Sequence, residues 1–101
     1  MEIELRFSNE MKVKVLGGRK CCTTRENPHG KPGDTFFLGK QRYRILQIIN
    51  MYAAQVANDL YRSEGFDSPA AYIAWWTRNK GPFDPEQEVY THFFAACLPL
   101  V

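Results

Sequence analysis

No stretch of the sequence approaches the roughly 18 consecutive apolar residues that a bilayer-crossing helix needs, so a membrane-spanning helix is excluded. The opening residues, Met1 to Phe7, carry acids where a secretory leader carries bases ahead of an apolar run, and a cytoplasmic location is expected. Cysteine is scarce and odd in number: Cys21, Cys22 and Cys97. Adjacent Cys21 and Cys22 point to opposite faces if they lie in a strand, which suits neither a disulfide framework nor a zinc site, and the three are expected to be reduced, mostly packed thiols. With only two histidines, His29 and His92, the chain has no metal-ligand spacing, and no metal or cofactor is expected. Internal repeats, linkers and low-complexity segments are also missing, so residues 1–101 read as a single domain around one core.

What is present is the composition of a globular protein: 45% apolar and 24% charged residues, enough apolar side chains for the chain to fold alone. The net charge of +2 is unevenly spread. Residues 1–50 hold ten Lys/Arg against five Asp/Glu, and residues 51–101 hold three against six. A basic half attracts phosphate through counterion release, although solvated faces of a small protein look the same, so charge alone decides nothing.

Ile3, Leu5 and Phe7 alternate with Glu2, Glu4 and Arg6, the period-two pattern of a first strand. Ser8 can cap a short helix whose Met11, Val15 and Leu16 fall on one side before Gly17 and Gly18 stop it. Lys20 to Arg25 read as a second strand, followed by an exposed loop from Glu26 to Gly33. Asp34 to Leu38, the turn Gly39-Lys40 and Gln41 to Asn50 form a hairpin, with Tyr43, Ile45 and either Gln47 or Ile48 facing inward. Ala53, Val56, Ala57 and Leu60 have the spacing of a helix over 53–61, ended by Glu64-Gly65. Ser68 and Pro69 start a further helix that carries Tyr72, Ile73 and Trp76 inward, closed by Asn79-Lys80-Gly81-Pro82. Glu88 to Cys97 is a strand of β-formers expected at the centre of the sheet. The pattern implies an α+β chain: a small mixed barrel of five or six strands decorated by two or three short helices.

One segment concentrates chemistry. Gly18-Arg19-Lys20-Cys21-Cys22-Thr23-Thr24-Arg25 brings three cations and hydroxyls together at a turn leading into a strand, a combination suited to an anion or carbonyl oxygen. Thr23 and Arg25 share one face of that strand, so Lys20 joins them only if it belongs to the turn.

Gly18, Lys20, Thr23 and Arg25 fit the pattern GxKxxTxR, and the segment resembles the signature of the ASCH domains, which are PUA-like folds. Pro32-Gly33-Asp34, Glu64-Gly65-Phe66 with Ser68, and the aromatic stretch Val89 to Phe94 extend the resemblance over nearly the whole chain. In length and layout the chain is similar to small bacterial amidohydrolases of that family that remove the acetyl group from N(4)-acetylcytidine. That likeness implies a catalytic set of Lys20, Thr23 and Glu64: Thr23 attacks the carbonyl, Lys20 takes or relays its proton, and Glu64 orients the groups or handles the leaving amine. Substrate or RNA contacts are expected from Gly18, Arg19, Arg25, His29, Lys31, Arg42 and Trp75, with no cofactor and a monomer or weak dimer. The partner is then a modified pyrimidine nucleoside or RNA.

Two plainer readings stand beside these. Lys20 and Glu64 can be an ion pair joining a turn to a helix end, and the basic residues Arg19, Lys20, Arg25, Lys31, Lys40, Arg42 and Arg44 can grip RNA without any catalysis. A metal-assisted ribonuclease is the weakest option, because few acids other than Glu64 lie near the motif. Trp76 shares a stripe with Tyr72 and Ile73 and belongs to the core, which leaves Trp75 to stack on a base. His92 is expected to be buried in its strand, and neither Cys21 nor Cys22 has a histidine nearby in sequence to activate it.

Overall fold

The computed structural model describes residues 1–98. Seven elements follow in order: α1 (Asn9–Leu16), β1 (Cys22–Arg25), β2 (Thr35–Leu38), β3 (Gln41–Tyr52), α2 (Ala53–Asp59), α3 (Pro69–Lys80) and β4 (Glu88–Ala96). The strands form one curled, half-barrel sheet in the order β1-β4-β3-β2, with every pairing antiparallel. β4 is central, as its unbroken run of β-formers requires. Among the described residues the sheet has four strands rather than the expected five or six, and no parallel strand joins it.

The missing strand is the first. Residues 2–7 make a single bridge, Glu2 to Thr35, supported by Ile3 N–H donating to the Thr35 carbonyl at 2.8 Å. The chain then leaves the edge of β2 and crosses to cover the sheet. Leu5 is buried, and the Phe7 ring packs tilted against Phe36 at 6.0 Å and edge-to-face against Phe94 at 6.2 Å. The alternating pattern was therefore a signal of burial, not of pairing.

Ser8 caps α1 by accepting from the Met11 N–H at 3.3 Å, and Met11 and Val15, four residues apart, face the core. Leu16 does not join them: it is 56% exposed, one position past Val15 and turned about 100° away. A β-bulge between Ile45 and Gln47 interrupts the register of β3. The extra residue turns Leu46 to solvent and returns Ile48 to the face of Ile45, deciding the inner position in favour of Ile48 over Gln47. β3 runs on to Tyr52, and α2 ends at Asp59, two residues before the expected end.

The core has two parts, one on each face of the sheet. Val56, Ala57, Tyr72, Trp76 and Val89 pack under α2 and α3; Leu5, Val15, Phe36, Tyr43, Ile45 and Phe94 fill the other side. Phe7 touches both. Ile73 is half-buried beside the first cluster. No helix among the described residues is long and apolar enough to cross a membrane.

Candidate functional site

Lys20 lies in the turn between α1 and β1, not in the strand, so it reaches the same region as Thr23 and Arg25. The turn that follows α2 delivers Glu64. The Cys21 and Cys22 N–H groups both donate to the Ser63 carbonyl, at 2.8 and 3.3 Å, which fixes this turn against the start of β1. Gly65, at φ 95°, lets the backbone reverse where a side chain would meet Lys14.

Lys20 and Glu64 are 3% and 2% exposed. The Lys20 ammonium donates to Glu64 Oε1 at 2.7 Å and to the Glu64 carbonyl at 3.2 Å. Oε2 accepts from the Thr24 hydroxyl at 2.6 Å and from the Cys22 thiol at 3.7 Å. With the Thr24 proton committed to Glu64, the 2.9 Å contact between Thr24 and Thr91 makes Thr91 the donor. Each carboxylate oxygen is thus satisfied, which a buried charge requires. Burial, and then the Glu64 charge, push the Cys22 thiol up, so it stays protonated and is no nucleophile. The same two causes raise the Tyr72 phenol.

Lys20 also faces a cleft of about 160 Å³ lined by Arg6, Phe7, Ser8, Met11, Thr23, Arg25, Trp75, Asn79 and Lys80. Thr23 is 5% exposed, and among the described residues its hydroxyl has no hydrogen-bond partner while its backbone is tied down. The Thr23 carbonyl lies 3.2 Å from His92 Nδ1, and His92 Nε2 accepts from the His29 N–H at 2.9 Å. His92 is therefore the Nδ1–H tautomer. Burial, with the His29 and Arg25 charges, lowers its pKa against the opposing carbonyls.

The other expected contacts do not converge here. Arg19 pairs with Asp67 at 3.6 Å on a separate surface. Gly18 sits in the exposed turn at φ 78°. Lys31 and His29 lie in the exposed loop, and Arg42 covers Phe37 at 5.1 Å beyond β4, which separates β3 from β1. Cys21 is exposed rather than packed, while Cys22 is buried and Cys97 half-buried, all free. The reading of the sequence missed Thr24 and Thr91 as the supports of Glu64, and Asn79 and Lys80 in the cleft wall. Period two from Cys22 marks Thr24, and the i, i+4 step from Trp75 marks Asn79, whose amide donates to the Trp75 carbonyl at 2.8 Å. No group of acids, histidines and cysteines among the described residues can hold a metal ion.

No protein-family model matches the sequence, and no curated protein does. Solved structures do. An ASCH domain from Lactobacillus crispatus JV V101 superposes with a TM-score of 0.68 over 94% of this chain and 78% of its own, at 14% identity. The chain has the ASCH fold. The hypothetical protein PH0355 shares it, with a TM-score of 0.71 at 16% identity over 96% of this chain and 100% of its own. So does protein EF3133 from Enterococcus faecalis V583, of family-model DUF984, with a TM-score of 0.60 at 19% identity over 87% and 70%. Within this ASCH fold the cleft lies between β1, the 6–8 segment and the end of α3, beside the Lys20 and Glu64 pair.

Proposed function

We propose that this ASCH fold is a small amidohydrolase acting on an N-acylated pyrimidine nucleoside of the N(4)-acetylcytidine type. The observation that carries this reading is the unpartnered hydroxyl of Thr23, a residue only 5% exposed, in one cleft with Lys20 and Trp75. At about 160 Å³ the cleft is smaller than the roughly 300–1,000 Å³ of sites that enclose a whole drug-sized ligand. It suits a planar base and its acyl group, with the ribose at the mouth. Trp75 supplies a stacking face.

In this scheme Thr23 Oγ attacks the amide carbonyl and passes its proton to Lys20 Nζ as Lys20 hands one to Glu64 Oε1. The bond to the amine nitrogen then breaks. That nitrogen leaves with a proton from Lys20, which recovers one from Glu64. Water hydrolyses the acyl-Thr23 ester through the same relay, so that amide and water become acid and amine.

The alternative, a non-catalytic RNA-binding module, draws support from the cations lining the cleft, Arg6, Arg25 and Lys80. It draws less from Arg42 and Lys31, which lie outside the cleft. Cytidine release from N(4)-acetylcytidine separates the readings. The enzyme reading expects turnover that falls to background in Thr23→Val and is partly restored in Thr23→Ser. Absence of turnover by the folded wild-type protein rejects it for this substrate and leaves the binding module.

A further inference from the structure

Two cations in the cleft have no role in the relay and, among the described residues, no carboxylate within 4.0 Å. Arg6 pairs with Glu4 at 2.9 Å on the exposed surface, but Arg25 and Lys80 form no ion pair among the described residues. The Arg25 guanidinium lies 5.2 Å over Phe7 and donates to the Arg6 carbonyl at 2.6 Å. The Lys80 ammonium lies 5.2 Å over Trp76. An aromatic face and a carbonyl hold cations in place without cancelling their charge. Burial, and then the Arg25 charge, pull Lys80 below its ordinary range against the opposing Glu26 and Glu64 carboxylates. Glu26, next to Arg25 in the chain, pairs with neither. The C-terminal end of α3 favours a cation at Lys80, yet that preference does not account for a second unpaired cation lining the same cleft.

Two like charges fixed on one small cleft are stabilised by an anion bound between them. We infer that Arg25 and Lys80 form a phosphate subsite, and that the ligand of the cleft is a phosphorylated nucleoside with its base against Trp75. This rests on the base-binding reading of the cleft given above. The phosphate is either a terminal monoester or an internal diester of an RNA strand; both present the same oxygens to the two cations.

Calorimetric titration with cytidine, its 5′- and 3′-monophosphates and a cytidine trinucleotide tests this without turnover. The expected result is that one phosphorylated form binds at least about tenfold more tightly than cytidine. Its advantage shrinks as salt rises and collapses toward unity in Lys80→Gln and Arg25→Gln. A preference for a monophosphate identifies the monoester, and one for the trinucleotide identifies the diester. Arg25→Gln also removes the bond to Arg6, so Lys80→Gln, at the exposed end of α3, is the variant that decides. If cytidine binds and every phosphorylated form binds equally well, the phosphate subsite is wrong and the base pocket stands. If nothing binds, both fall.

Discussion

Replacing Glu64 by leucine should cost far more than replacing it together with its partner. Glu64→Leu strands the Lys20 ammonium with one carbonyl at 3.2 Å and leaves the Thr24 hydroxyl without its acceptor. Breaking a buried pair from one side costs about 3–5 kcal/mol, a large share of the roughly 5–15 kcal/mol that holds a domain of this size. At about 4–8 °C per kcal/mol, the melting temperature falls by tens of degrees. Lys20→Met costs less, because Glu64 keeps the Thr24 and Cys22 donors on Oε2. The double variant Lys20→Met/Glu64→Leu removes both charges and fills the space with apolar atoms, which is near neutral for other buried pairs. Urea unfolding of the four proteins gives the coupling energy, expected at about 2 kcal/mol or more in favour of the double variant. The reasoning is refuted if each single change costs under about 1 kcal/mol, the behaviour of an exposed pair, or if the two costs simply add.

The adjacent threonines separate structure from chemistry. Thr24→Val loses the bonds to Glu64 and Thr91 and should cost about 1–3 kcal/mol in urea, whereas Thr23→Val removes an unpartnered hydroxyl and should be within about 0.5 kcal/mol of wild type. His92 has a lowered pKa in the folded state, so the unfolded chain binds more protons near its ordinary value of about 6.5. Its stabilising contribution is whole above that value and is lost as pH falls toward the folded pKa. A melting temperature that declines on acidification in wild type, and declines less in His92→Gln, checks the sign. Alkylation at neutral pH should label Cys21 readily and spare Cys22 in the native protein, with both labelled in denaturant.

The local features were legible because they depend on neighbours in sequence. Ser8 and Ser68 cap their helices, accepting from Met11 and Ala71, and Gly39-Lys40 turns the hairpin of β2 and β3. The β-rich run of residues 88–96 is central because nothing in it interrupts a ladder on either edge. What escaped depends on register and on distant partners. Thr24 supports Glu64 only because β1 and β4 align Thr24 with Thr91, a pairing across 67 positions that no local pattern reveals. Thr23 and Thr24 are alike in composition, yet one faces the cleft and the other faces the carboxylate. Arg42 and Arg44 looked continuous with the motif as a basic stretch, but β4 inserts between β1 and β3 and carries them away. The alternation of residues 2–7 reported which side chains are buried, and the edge of β2 accommodates only one bridge there.

The most direct test of the central claim is release of cytidine from N(4)-acetylcytidine by three proteins first shown to be folded: wild type, Thr23→Val and Lys20→Met/Glu64→Leu. The account predicts turnover by wild type and none above background by either variant, despite a sound fold in both. Turnover surviving in Thr23→Val, or absent from wild type, contradicts it.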